Sequence, residues 1–343
     1  MVETIVRAQP WTDVCGLLLG DNRGVAAVVT RDPRVAAAAL RRGNLAVLPT
    51  ETVYGLGARA LDERAVQRVF DTKERPSTHP LILHLAGMDQ LDGYAADVTS
   101  YARDLAAACW PGPLTIVTRR RPDLPGFVTR GLPTIALRVP RHDATLAVLA
   151  ELQQPVAAPS ANRFGHVSPT RIEHVREEIG DRLAPADVIL DGGSARVGLE
   201  STIVDCTSSV PIVLRPGSVT REEIASVTGL SPLRPEDVAS PSTRAPGTLA
   251  RHYQPEARVT VVRATDVAGK GGSLLLRPGS GLIAPLHVPT PAGVLRLADP
   301  GSVEEYARVL YQALREADTR GLRHVAVVEP EGSGLAEAIR DRL

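Results

Sequence analysis

The sequence predicts an α/β protein built as two units. Two observations carry that prediction. Short apolar runs of strand length alternate with amphipathic segments of helical period in both halves of the chain. The alternation breaks once, from about residue 230 to 257, in a stretch rich in Pro, Ser and Thr, and then restarts. At 343 residues and 43% hydrophobic, the chain is long enough for more than one core.

The elements follow in order. Residues 1–30 have no clear period and read as an N-terminal extension. "DPRVAAAALRRGN" predicts a helix with Asp32 as N-cap, Pro33 at its first position and Gly43 just past its end. "LAVLP" (45–49) is a buried strand. "LDERAVQRVFDTK" is an amphipathic helix with Leu61, Ala65, Val66 and Val69 on its apolar face. "PLILHL" is a strand, and "DVTSYARDLAAACWPGP" a helix stopped by Pro111. "LTIVTRR", "TIALRVP", "PVAAPS", "DVILDGG", "STIVDC" and "PIVLRPG" read as strands. "TREEIASVTG" is a helix with a capping box, Thr220 first and Glu223 three later. Beyond the break, "RVTVVRA", "GSLLLRP" and "HVAVVEP" read as strands, and "SVEEYARVLYQALREAD" and "GSGLAEAIRDRL" as helices. The chain divides accordingly into an extension (1–30), a larger domain (31–229), a linker (230–257) and a smaller α/β domain (258–343).

Composition narrows the function. Formal net charge is zero, so no chain-wide basic field exists to hold nucleic acid. Cys15, Cys109 and Cys206 are odd in number and far apart, and neither C-x-x-C nor H-E-x-x-H occurs, which argues against a disulfide framework or a structural zinc. The N-terminus lacks an apolar leader core, and no apolar run approaches a membrane span, so a cytoplasmic protein is expected. Only Lys73 and Lys270 are lysines among 39 basic side chains. A position that keeps Lys against that drift toward Arg needs a compact cation, such as a point charge on a phosphate.

Several polar strand-end loops are candidates for a ligand site, because backbone amides and hydroxyls point out of a sheet edge there. "LPTETVYGLGA" (48–58) follows a buried strand and reads as such a loop. "KERPSTHPL" (73–81) places Lys73 and Arg75 within one turn and His79 in a Pro-flanked loop. "APSANRFGHVSPT" sets Ser160 and Asn162 in alternation, with Ser168 or Thr170 as the cap of a following helix. "GLESTIVD" is a further polar loop, and "LRPGSVT" puts Arg215 at a strand end, suited to phosphate or carboxylate. "RHYQP" sets Arg, His and Tyr in the linker, where a mobile cluster closes over a site. "EPEGSGLAEAI" matches neither dinucleotide nor Walker patterns and reads as an ordinary turn.

Taken in order, "PTETVYGL", "KERPSTHPL", "WPGPLT", "LRVP", "PSAN" with "SPT", "ESTIVD" and "LRPG" resemble the YrdC-like threonylcarbamoyl-AMP synthases. The "APGTLARHYQP" linker followed by a small α/β domain resembles their longer, two-domain form. The resemblance covers roughly residues 33 to 343. It implies a YrdC-like twisted open sheet with helices, and a smaller C-terminal Rossmann-like domain joined by a lid-forming linker. It also implies an enzyme that makes L-threonylcarbamoyladenylate from L-threonine, bicarbonate and ATP and releases pyrophosphate. Partner proteins would then pass the threonylcarbamoyl group to adenosine beside the anticodon of tRNAs reading A-starting codons.

By the same resemblance, Lys73 and Arg75 hold the ATP phosphates and are the catalytic pair. Asn162, Ser168 and Arg215 complete the nucleotide site, with Thr134 near it. Thr50, His79, Arg138, Ser160 and Ser201 hold threonine, and His252 and Tyr253 close over the nucleotide. Mg2+ is expected with the ATP, with no metal cage of its own, and neither stable nucleic-acid binding nor membrane association is expected. Phe164 departs from the family pattern, which commonly has a small polar residue there, and "PGTLARHY" departs from the usual "PGMKYRHY". Two rival readings are a carbamoyltransferase with a YrdC-like domain, and an RNA-binding module without activity. Proteins of the first kind are much longer, and the neutral charge and three Phe residues argue against the second.

Overall fold

The computed structural model describes residues 27–77, 79–238, 253–268 and 277–343. His252 and all of "GSLLLRP" except Arg277 and Pro278 lie outside the described residues.

A large mixed sheet forms the first unit. Its strands are β1 (Val28–Thr30), β2 (Ala46–Leu48), β3 (Gly55–Arg59), β4 (Ile82–His84), β5 (Ala95–Ala96), β6 (Leu114–Arg120), β7 (Thr134–Arg138), β8 (Val156–Ala157), β9 (Val188–Leu190), β10 (Thr202–Asp205) and β11 (Ile212–Arg215). They lie in the order β1-β9-β2-β3-β8-β4-β7-β6-β10-β11, with β5 paired to β6. Parallel and antiparallel pairs mix: β4 runs parallel to β7, while β3 and β4 both flank β8 antiparallel. Val28–Thr30, read from sequence as the end of an extension, is an edge strand parallel to β9.

Helices α1 (Pro33–Arg41), α2 (Glu63–Lys73), α3 (Ser100–Cys109), α4 (Asp143–Leu152), α5 (Ile172–Ile179) and α6 (Arg221–Thr228) pack on this sheet. Their caps explain their limits. Asp32 accepts from the Arg34 amide ahead of Pro33, and Gly43 takes φ +82° just past the end of α1. Thr220 and Glu223 form the reciprocal capping box of α6. Helix α2 buries Ala65, Val66, Val69, Phe70 and also Lys73. Leu61 precedes that helix and is 42% exposed, so the apolar face begins one turn later than the period suggests.

Two further expectations fail for local reasons. Helix α5 starts at Ile172 with Arg171 as its N-cap, so neither Ser168 nor Thr170 caps it. "GLGA" is strand β3 and not loop: its glycines sit where the sheet packs too closely for a side chain, and a Cβ on Gly57 would lie 2.8 Å from Val156.

The second unit has a four-stranded, wholly parallel sheet of β12 (Arg258–Val262), β13 (Gly281–Ile283), β14 (Leu295–Ala298) and β15 (His324–Val328), in the order β12-β15-β13-β14. Helices α7 (Ala264–Ala268), α8 (Val303–Thr319) and α9 (Leu335–Asp341) accompany it. The two units share a core: Val53, Val167 and Leu199 of the first pack with Tyr253, Tyr306, Leu310 and Tyr311. The approach is close at Gly198 (φ +82°), where a Cβ would stand 2.6 Å from the Arg308 Cα. Among the described residues no helix is long and apolar enough to cross a membrane.

Candidate functional site

A narrow cavity of about 60 Å³ opens where polar loops leave the middle of the large sheet. Three loops and three strand ends supply its walls. The β2–β3 turn brings Thr50 and Thr52. The end of β4 brings His84, and the end of β7 brings Arg138. The loop after β8 brings Ser160. The loop before β10 brings Glu200 and Ser201, and the end of β11 brings Arg215. Arg75, just past α2, and Tyr253 complete the lining.

The turn after β2 is held by its own hydroxyls. Thr50 Oγ1 donates to the Val53 carbonyl (2.6 Å) and lies 2.8 Å from Thr52 Oγ1. Arg138 reaches this turn from β7: Nη1 donates to Thr52 Oγ1 (3.0 Å), and Nη2 stands 2.8 Å from Glu51 Oε2. Its Nε donates to the Gly112 carbonyl (3.2 Å), which gives the "WPGP" segment a function in aiming the guanidinium. Both members of the Arg138–Glu51 pair are 5% exposed, so neither charge is solvated if the other is removed.

On the opposite side, Arg215 donates from Nε and Nη2 to the Ser201 carbonyl (3.1 and 2.9 Å) and from Nη2 to Ser201 Oγ (3.2 Å). Ser201 Oγ in turn lies 2.8 Å from Thr115 Oγ1. Burial pulls the Arg75 guanidinium down to about 10, with Tyr253 opposing and Arg215 adding to the fall. Its Nη2 donates to the Pro80 carbonyl (3.2 Å). Three buried arginines, 4–8% exposed, therefore face one small volume lined by hydroxyls. That arrangement suits an anion with several oxygens, and a carboxylate beside it.

Lys73 has a different position from Arg75. Its side chain is buried beneath the loop after β8, where Nζ donates to the carbonyls of Ser160 (2.5 Å) and Asn162. Burial, then Arg75, holds the ammonium well below its ordinary pKa, with Glu178 opposing. Asn162 is buried and donates from Nδ2 to the Arg163 and His166 carbonyls (both 2.8 Å), which closes the loop on itself. Ser168 is fully buried and lies beside Glu200. Thr134 starts β7, partly exposed, and is not in the cavity lining. His79 also lies outside the lining, edge-on to Phe164 with ring centroids 5.4 Å apart. Phe164 in turn sits 6.0 Å from the Arg75 guanidinium.

Several lining residues were not among the sequence candidates. Thr52 is adjacent to the predicted Thr50, and its signal was the repeated Thr in "PTETVYG". His84 is buried, and its pKa is pushed to about 3, first by burial and then by Arg138. It reads from sequence as one more strand residue. Glu200 lies in the quoted "GLESTIVD", but its partners are 111 and 142 residues away, so no local signal could name them: Tyr311 donates to Oε2 (2.8 Å), and so does Arg342 Nε (2.9 Å). Burial opposes the charge on Glu200. Arg342 and Arg215, with the Ser168 hydroxyl, outweigh it and hold the carboxylate below its ordinary range. Among the described residues no group of three or more His, Cys, Asp or Glu could hold a metal ion.

Comparison with known proteins agrees with this architecture. The family model described as "Telomere recombination" matches residues 38–217, and that described as "Threonylcarbamoyl-AMP synthase, C-terminal domain" matches residues 219–343. The Threonylcarbamoyl-AMP synthase of Pyrococcus abyssi is 40% identical over 319 residues, 90% of this chain and 92% of that protein. The protein of the same name from Bacillus subtilis is 36% identical, over 92% of this chain and 93% of its own length. A crystal structure of P. abyssi Sua5 complexed with L-threonine superposes with a TM-score of 0.81 at 39% identity, covering 92% of this chain and 95% of that one. With both family models matched in order and relatives aligned along nearly their whole length, the chain belongs to the threonylcarbamoyl-AMP synthase family, a family of enzymes.

Proposed function

We propose that this protein makes L-threonylcarbamoyladenylate from L-threonine, bicarbonate and ATP, releasing pyrophosphate. The observation that carries the reading is the convergence of Arg75, Arg138 and Arg215 on one hydroxyl-lined cavity. The L-threonine in the related P. abyssi structure supports it.

Two bonds are made in the proposed reaction. The threonine amine attacks the bicarbonate carbon, and water leaves to give the carbamate. A carbamate oxygen then attacks the α-phosphorus of ATP, the P–O bond to the β-phosphate breaks, and pyrophosphate departs. Neither step needs a covalent bond to the enzyme, so catalysis rests on positioning and on neutralising charge. Arg138, steadied by Thr52 and Glu51, is suited to the threonine carboxylate, with Thr50, Ser160 and Ser201 as partners for its polar groups. Arg75 and Arg215 are suited to the phosphates. Two of the three Lys73 ammonium protons go to backbone carbonyls, which leaves one donor for a phosphate. While Lys73 stays there it fixes the loop that carries Ser160 and Asn162.

Mg2+ enters as MgATP. The one carboxylate among the described lining residues, Glu200, has an oxygen committed to Tyr311 and Arg342, so the fit is to a metal carried on phosphate oxygens and not to one held by side chains. A cavity of about 60 Å³ is far below the roughly 300–1,000 Å³ of ordinary ligand pockets, so the Tyr253 side must withdraw to admit substrate and return to exclude water from the labile carbamate. The product is then consumed by tRNA-modifying transfer proteins acting on adenosine next to the anticodon. The enzyme itself needs no stable hold on nucleic acid.

The test is product formation from purified protein. With ATP and 13C-bicarbonate, pyrophosphate release should require L-threonine, and mass spectrometry should find the label in a threonine–AMP adduct. Pyrophosphate release indifferent to threonine, or an unlabelled nucleotide product, contradicts the proposal.

A further inference from the structure

The second unit reaches the cavity wall at two buried groups, Glu200 and Tyr253. Glu200 lines the cavity and immediately precedes Ser201, whose carbonyl and hydroxyl anchor Arg215. Glu200 Oε2 accepts hydrogen bonds from two donors of the C-terminal unit, Tyr311 on α8 and Arg342 just past α9. Arg342 is fixed further by the Pro216 carbonyl (Nη1, 3.0 Å), one residue past Arg215. The same two residues clasp Tyr253, which also lines the cavity. Its ring stacks on Tyr311 with centroids 5.7 Å apart, and the Arg342 guanidinium lies over it at 5.4 Å. Tyr253 sits at φ +62°, a left-handed conformation that is strained for a side-chain-bearing residue and persists only where its surroundings hold it. The zero clearance at Gly198 brings α8 to the loop two residues before Glu200.

We propose that the C-terminal unit is a structural part of the cavity: Tyr311 and Arg342 are positioning residues that hold Glu200, and through it the Ser201–Arg215 wall and Tyr253, in the geometry that binds substrate. Neither residue touches substrate. The kinetic part of this proposal rests on the synthase reading above.

The test pairs a mild variant with a control. Tyr311→Phe removes only the hydroxyl donated to Glu200 and keeps the ring under Tyr253. Arg342→Lys keeps a charge and loses the fork. Glu337→Gln breaks an exposed contact between the units, Arg234–Glu337 at 3.1 Å, that does not reach the cavity. Hydrogen exchange at the backbone amides of residues 199–203 should speed up at least fivefold in Tyr311→Phe and Arg342→Lys and stay at the wild-type rate in Glu337→Gln. With threonine varied, kcat/KM should fall at least tenfold in the first two, and Tyr311→Phe should add less than twofold to Glu200→Gln. Unchanged exchange at 199–203 in both Tyr311→Phe and Arg342→Lys overturns the proposal. Exchange is read without substrate, so a wild type that fails to release pyrophosphate overturns the synthase reading and leaves this one to be judged by the exchange alone.

Discussion

The two walls of the cavity are built in different ways. The wall of Thr50, Thr52 and Arg138 supports itself: every hydrogen bond and ion pair described for it comes from the first unit, through Val53, Glu51 and Gly112. The wall of Glu200, Ser201 and Tyr253 rests on Tyr311 and Arg342 of the second unit. Both walls bury a carboxylate against an arginine, Glu51 with Arg138 and Glu200 with Arg342. In the first pair both partners belong to the first unit, Glu51 in the β2–β3 turn and Arg138 at the end of β7. In the second they lie 142 residues apart, in separate units. A buried ion pair can thus fix a site within a domain, or tie the site to a neighbouring domain, with the same chemistry.

Breaking either pair should give the largest effects. Arg138→Ala leaves Glu51 buried without its partner, and Arg342→Ala does the same to Glu200, so each should cost about 3–5 kcal/mol. Denaturant midpoints check this. Arg138→Ala should show one transition at lower denaturant. Arg342→Ala should separate the transitions of the two units, because it removes a link between them.

Acid should come next. His84 and His174 each have a pKa pushed to about 3 by burial, His84 further by Arg138 and His174 by Arg315 and Arg171. The unfolded chain binds these protons near pH 6.5, and the folded protein binds them only near pH 3. Stability is therefore whole above about pH 6.5 and is lost as pH falls toward 3, by about 1.4 kcal/mol per pH unit for each histidine. His174→Gln should flatten the slope measured between pH 6.5 and 4 by the share of one proton, and an unchanged slope contradicts the assignment.

Lys73→Arg sharpens the distinction between the loop that carries Ser160 and its neighbours. A guanidinium is too broad for the space between the Ser160 and Asn162 carbonyls, and overpacking costs about 1–3 kcal/mol. The thermal midpoint should fall together with activity. A fall in activity at unchanged stability would instead favour Lys73 acting on phosphate. The smallest effect should come from Glu337→Gln, which loses a surface pair worth about 0–1 kcal/mol and should leave the denaturant midpoint almost where it was.

What was legible in the sequence was what is local. Asp32-Pro33 and Gly43 bracket α1, and Thr220 with Glu223 opens α6, because caps act within a turn. The apolar runs at 46–48, 188–190 and 202–205 are strands as read. "GLGA" misled because glycines that signal a turn also mark a tightly packed strand. "GLI" at 281–283 is too short to stand out, and its strand depends on pairing with β14 and β15. Within the site, Thr50, Arg75, Arg138, Ser160, Ser201, Arg215 and Tyr253 all line one cavity. Thr134, His79, Asn162 and Ser168 lie outside it, and Lys73 points to backbone carbonyls. The roles of Glu200, Tyr311 and Arg342 follow from how the two units meet, and that depends on contacts no local motif encodes.

The most direct measurement is pyrophosphate release with L-threonine varied, for wild type beside Arg138→Lys and Arg342→Lys, with unfolding midpoints recorded on the same preparations. If the two walls form one site, both variants should lose at least tenfold in kcat/KM for threonine while the protein remains folded at the assay temperature. If Arg342→Lys matches wild type while Arg138→Lys fails, the second unit is no part of the site.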